Sequence, residues 1–144
     1  HPSVGQFKGE RPLAIVAGGP SLSRTLHEIE GDVMLCGSVH DHAVALGLKP
    51  AFAVVSDPDA VAANYMRNPQ SGCSYLIASQ CHEEVFKALE GYEVYVWHCA
   101  GIESKERQHE LFRGEAGVGG GCTVTLRALS LYAYGQCRPE DYFN

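Results

Sequence analysis

A chain of 144 residues, 45% apolar and 19% charged, carries enough aliphatic side chain to close one core, so a single domain without disulfide staples is expected. Its net charge of −6, from 17 acids against 11 lysines and arginines with no local basic cluster, argues against nucleic acid and against anionic membrane surfaces as partners. No apolar run reaches the roughly 18 residues of a membrane span, and the opening HPSVGQFKGERP lacks the basic start and apolar middle of a signal peptide, so a cytoplasmic location is expected.

PLAIVA (12–17) is the first short, continuous apolar run and reads as a strand buried on both faces. The chain leaves it through AGGPSL. Gly18 and Gly19 let a ligand approach the main chain, Pro20 fits a helix entrance, and Ser21 or Ser23 can cap; Thr25 with Glu28 also spells a capping box, which leaves the exact start open. A helix mouth here would offer unpaired N–H groups and about half a positive charge to a phosphate. The plainer alternative is a tight strand-to-helix turn, and the spacing matches neither G-x-G-x-x-G nor G-x-x-x-x-G-K-[ST]. Leu22, Leu26 and Ile29 then form one apolar helix face.

VMLCGS (33–38) is the second strand, and Val39, Ala43 and Leu46 mark the helix after it, where His40 and His42 bracket Asp41. AFAVVSD (51–57) is the third. Just past it Asp57 and Asp59 flank Pro58, where carboxylates suit Mg²⁺ with a diphosphate, a ribose or the activation of a hydroxyl; the alternative is that Asp59 caps the next helix and Asp57 stabilises the turn. SYLIAS (74–79) and EVYVWHC (93–99) are the fourth and fifth strands, with Val85, Phe86 and Leu89 on the helix between them. His82 and His98 lie at their ends near Cys81 and Cys99, at spacings that are not diagnostic of a metal. GVGGGCT (117–123) is a second glycine-rich mouth: four glycines in five positions each cost about 0.5–1 kcal/mol relative to alanine, which anion or nucleotide recognition by Gly119, Gly120, Gly121 and Thr123 would offset, against the alternative of a mobile connector. The helix of 122–135 is apolar nearly all round and is expected to be the most buried.

This β-α rhythm predicts an α/β protein, a three-layer α/β/α sandwich whose mostly parallel sheet has about five or six strands. Ligands of such sheets bind beyond the carboxyl ends of the strands, near a reversal of strand order. Six cysteines without a C-x-x-C read as reduced thiols, with Cys122 at a helix N-terminus a minor nucleophile candidate.

IVAGGPSL, GLKPAFAVVSDPD (47–59), YLIASQCHEEVFKAL (75–89) and GVGGGCTVTLRALSLYAYG (117–135), in this order over about 120 residues, resemble the family of flagellin-modifying motility accessory factors and archaeal 6-hydroxymethyl-7,8-dihydropterin diphosphokinases. The first motif is also similar to the nucleotide-binding loop of bacterial sialyltransferases that use CMP-sugars. The resemblance implies one Rossmann-like nucleotide-binding domain over 1–144. It implies either transfer of diphosphate from ATP to a pterin hydroxymethyl group, with Mg²⁺, or transfer of a CMP-activated nonulosonic acid to a serine or threonine; a non-catalytic nucleotide-binding or partner-binding module is a third reading. By position Gly18, Gly19, Pro20 and Ser21 fall on the family's first loop, Asp57 and Pro58 on its second motif, and Gly119, Gly120 and Gly121 on its third. In the diphosphokinase reading Asp57 and Asp59 hold the metal and Lys49, Arg24 or Lys105 neutralises charge; in the sugar-transfer reading His40 or His98 is the general base. Ala51 stands where the family often has an acidic residue, and QCRPEDYFN ends where relatives continue into another strand, so a reduced or truncated member is expected. Base, acceptor, strand order and oligomeric state stay open, a homo-oligomer included.

Overall fold

The computed structural model describes residues 12–101, 105–113, 115 and 117–136. Aliphatic runs without a polar face become strands because both of their sides must be covered. β1 (Leu13–Val16), β2 (Asp32–Cys36), β3 (Phe52–Val55), β4 (Ser74–Ala78), β5 (Val94–Cys99) and the two-residue β6 (Gly117–Val118) form one sheet. Every neighbouring pair is parallel and the strands lie side by side in chain order; Ile15 faces Met34, Leu35 faces Ala53, Val54 faces Leu76 and Ile77 faces Val96. β3 and β4 form the centre of the core, with Ala53, Val54, Val55, Tyr75, Ile77 and Ala78 fully buried.

The returns between strands are short: α1 (Leu22–Thr25), α2 (His40–Ala45), a 3₁₀ segment (Ala60–Met66), α3 (Glu83–Ala88) and α4 (Lys105–Leu111). Crossovers between adjacent parallel strands are right-handed, so an unbroken order puts all of them on one face. α2, the 3₁₀ segment and α3 accordingly pack against one another in sequence. α5 (Val124–Gln136) follows β6 and packs on β1, β2 and β3 as well as on β6, which makes it the third layer, with the sheet curled around it. The fold is Rossmann-like. Its described strands contain no reversal of order, so the expected switch-point crevice is replaced by a rim of strand ends gathered at the start of α5.

Local chemistry explains where the elements depart from the sequence expectation. β2 stops at Cys36, because Gly37 turns at φ +57° into a 3₁₀ turn. The turn into β2 requires glycine at 31: φ is +82°, and a Cβ there would overlap Pro12 O, the acceptor of the Asp32 N–H at 2.8 Å. β6 comes from the first two residues of a segment read as loop. α1 is a single turn in which Ser21 stands at the N-cap without a side-chain bond, while the Thr25 hydroxyl donates to Ser21 O at 3.2 Å. α5 begins at Val124, and it is not the most buried helix: Ala128 and Leu131 face the sheet, but Leu126 and Leu129 are 46% and 54% exposed because only one side of the helix has a layer to cover it. No helix among the described residues is long and apolar enough to cross a membrane. Residues 137–144, the stretch of QCRPEDYFN where relatives are expected to continue into another strand, lie outside the described residues.

Candidate functional site at the carboxyl rim

Since all six strands are parallel, their carboxyl ends share one rim. It carries Gly18–Ser21, Gly37–Val39, Ser56–Asp59, Ser79–Gln80, Ala100–Gly101 and Gly119–Gly121 in turn. The glycine-rich loop after the first strand and the start of α5, the helix that the second glycine-rich loop leads into, border the same short segment. A Cβ at Gly18 would lie 3.9 Å from Val39 Cβ and 4.0 Å from Ser38 Oγ, and one at Gly37 would lie 3.6 Å from Val124 Cγ1 at the start of α5. The Cys36 thiol lies close enough to Thr125 for the two side chains to interact. The curl of the sheet thus brings opposite edges to one helix end.

The loops differ in what they offer. Gly18, Gly19, Pro20 and Ser21 are all exposed, yet the turn uses two of its own amides: Gly19 N–H donates to Ala17 O at 2.9 Å and Leu22 N–H to Gly19 O at 3.2 Å. A four-residue α1 adds little dipole, so the stronger partial charge belongs to the 13-residue α5. Gly120 has φ +146°, and a Cβ there would press on Ser130 Oγ at 2.8 Å and Arg127 Cδ at 3.2 Å; a Cβ at Gly121 would overlap Leu126. The second loop therefore lies flat on the first turns of α5. Thr123 Oγ1 caps that helix by accepting the Leu126 N–H at 3.3 Å, and the amides of Val124 and Thr125 have no acceptor among the described residues.

Arg127 is the rim residue that sequence reasoning missed. Its Nη1 donates to Ala100 O and to Val118 O, both at 2.9 Å, clamping the ends of β5 and β6, and no carboxylate among the described residues pairs with it. Its guanidinium has further donors to give. The available signal was a lone charge in the otherwise uncharged TVTLRALSL. Of the cations considered instead, Lys49 precedes β3 at the amino edge, Arg24 is exposed on α1, and the Lys105 side chain lies outside the described residues.

A family model described as 6-hydroxymethylpterin diphosphokinase MptE-like matches residues 1–139. The chain belongs to the MptE-like family. No curated protein and no solved structure gives a match.

In this MptE-like domain the second motif folds into a turn and a cap: Asp57 Oδ1 accepts the Asp59 N–H at 3.0 Å, and Asp59 Oδ1 accepts the Val61 N–H at 2.9 Å. Among the described residues the other oxygen of each carboxylate accepts no hydrogen bond. Two neighbouring hard donors suit Mg²⁺, which is bound through one or two carboxylates and completes its shell with water and phosphate oxygens; no group of three or more His, Cys, Asp or Glu side chains is gathered for a metal among the described residues. A shallow open groove beside β1, lined by Pro12, Leu13, Ala14, Thr25, Glu28, Ile29 and Glu30, lies at the amino end of that strand, away from the rim.

The histidines of the MptE-like chain separate by environment. His40 has no exposed surface; its Nδ1 donates to Asp41 Oδ1 at 2.8 Å and its Nε2 meets the Tyr75 hydroxyl at 3.2 Å, so neither nitrogen is left for a ligand. His82 caps α3 by accepting the Glu84 N–H at 3.3 Å, and His42 is exposed on α2. His98 stands on the rim, half-buried, with its ring stacked on Phe112 at 4.5 Å. Among the thiols Cys36, Cys73, Cys81, Cys99 and Cys122 are free, and burial pushes Cys36 up to about 11 and Cys73 and Cys81 up to about 12. Cys122 alone of these is exposed.

Proposed function

We propose that this MptE-like domain is a nucleotide-binding transferase of the diphosphokinase type, moving diphosphate from ATP to the hydroxymethyl group of a pterin. One observation carries the reading: the first glycine loop and the start of α5, on which the second glycine loop lies, both border Gly37–Val39, and Arg127 in the first turn of α5 has no carboxylate partner among the described residues. Oriented amides and a fixed guanidinium are the groups that stabilise phosphoryl charge without having to reorganise during the reaction. Val124 and Thr125 N–H groups and the Arg127 donors bind phosphate oxygens; Gly18–Ser21 admits the nucleotide from the other side of Gly37. Asp57 and Asp59 would hold Mg²⁺, which when bound neutralises the phosphate oxygens that these carboxylates would otherwise repel. The acceptor hydroxyl oxygen bonds to the β-phosphorus as its proton passes to solvent, the bond from that phosphorus to the α–β bridging oxygen breaks, AMP leaves with that oxygen, and no covalent enzyme intermediate is needed.

The test is a thermal-shift series with ATP, CMP, CTP and UDP, each with and without Mg²⁺, followed by an assay for AMP release with a hydroxymethylpterin. A ligand at 100 times its Kd stabilises by about 2.7 kcal/mol. ATP stabilisation together with pterin-dependent AMP release supports the proposal, and its absence overturns it. Stabilisation by CMP alone, with hydrolysis of a CMP-sugar, would instead favour sugar transfer, for which His98 is the base within reach of the rim. Saturable binding with neither reaction would leave a nucleotide-binding module.

A further inference from the structure

We propose that Ser79, His98 and Glu115 form a serine-nucleophile triad at the β4–β5 end of the rim, acting on carboxylic esters. The inference stands on this cluster alone and does not depend on the nucleotide reading. His98 Nδ1 lies 2.9 Å from Ser79 Oγ, and His98 Nε2 lies 3.1 Å from Glu115 Oε2. An ionised carboxylate can only accept, so Glu115 places the imidazole proton on Nε2 and leaves the Nδ1 lone pair facing the serine O–H. The Phe112 ring, stacked on the imidazole at 4.5 Å and 9°, fixes its plane. Hydroxyl, base and orienting carboxylate are thus in series, the arrangement by which a serine is activated on unrelated folds.

The backbone supports the same role. Ser79 is exposed directly after β4, and its amide is pinned to Trp97 O at 2.8 Å. Cys81 N–H donates to Ala78 O at 2.9 Å, so the chain turns sharply toward α3 and presents Ser79 at the strand-to-helix bend. The intervening Gln80 N–H has no acceptor among the described residues and can receive a carbonyl oxygen as it becomes negative. Ser79 Oγ bonds to the ester carbon as its proton passes to His98 Nδ1 and the carbonyl electron pair moves onto oxygen. The C–O bond then breaks, and the alcohol leaves with the proton from His98. Water next attacks the acyl carbon and gives its proton to His98, the carboxylic acid departs, and Ser79 recovers its proton. Glu115 is 63% exposed, so its charge is screened and the base is modest; that fits an ester with a good leaving group rather than an amide.

The experiment treats the whole chain with a fluorophosphonate probe and with p-nitrophenyl acetate, and maps the labelled peptide by mass spectrometry. The expected result is a label on Ser79, with p-nitrophenol release falling about 10²-fold or more in Ser79→Ala and in His98→Asn, and about tenfold in Glu115→Gln. Glu115→Gln changes an exposed side chain and keeps the test valid if His98→Asn does not fold. An unlabelled Ser79, or equal labelling rates in the wild type and in folded His98→Asn or Glu115→Gln, would overturn the proposal.

Discussion

His40 and His98 are the same side chain in opposite employment. Around His40, Asp41 also accepts the Arg67 N–H at 3.1 Å and the Asn68 N–H at 3.3 Å, and the Tyr75 hydroxyl accepts the Gln70 N–H at 2.6 Å. The buried imidazole is therefore the centre of a hydrogen-bond network that ties residues 67–70 to α2 and β4. His40→Ala would leave a cavity and a Tyr75 hydroxyl without its acceptor, and is expected to lower stability by about 2–4 kcal/mol in urea titrations while preserving any nucleotide-induced thermal shift. The buried thiols give a second residue-scale expectation. Their folded values near 11 and 12 exceed the ordinary 9.0, so they favour the folded state fully below about pH 8.5, and that contribution is lost as pH rises through 9 toward 11 and 12. Melting temperature should fall between pH 8.5 and 11, and iodoacetamide at pH 8 should modify Cys122 before Cys36, Cys73 or Cys81.

At the scale of elements, α1 and α5 show how length decides what a helix mouth can do. One turn, with two of its loop amides already paired, gives an open approach; thirteen residues behind a glycine loop give a sustained partial charge. Gly120→Ala would force a Cβ against Ser130 Oγ at a left-handed φ, and is expected to cost about 1–3 kcal/mol and to weaken nucleotide binding together with stability. Arg127→Lys keeps the charge but loses the planar fork that bridges Ala100 O and Val118 O. Calorimetric titration should show ATP affinity reduced about tenfold, and an unchanged affinity would remove Arg127 from the site.

For the whole molecule, the unbroken strand order has a mechanical consequence. With the crossovers on one face, α5 is the cover of the other, so the rim loops of β1 and β6 meet through it. A charge placed under that helix should therefore disable the fold and the site together. Ala128 has no exposed surface, and Ala128→Asp is expected to lose several kcal/mol of stability and the ATP-induced shift in one step; a folded variant that still binds ATP would show that α5 is not the shared element.

β1 to β5 were legible because each is an apolar run whose two faces must be buried, and the rim was legible because every parallel crossover returns its small and ionisable residues to the same edge. The sequence by itself determined those strands, the glycine loops and the family. β6 was not legible: Gly117–Val118 is a strand only because it pairs with His98 and Cys99. Strand order, the exposed side of α5 and the contacts of Arg127 with Ala100 O and Val118 O were equally out of reach, since each depends on what lies opposite. Ser79, His98 and Glu115 are separated by 19 and 17 positions, and no local spacing encodes their contact. Only the tertiary structure decided it, because hydrogen-bond geometry between distant residues is set by strand register and by the curl of the sheet, neither of which is a property of any segment alone.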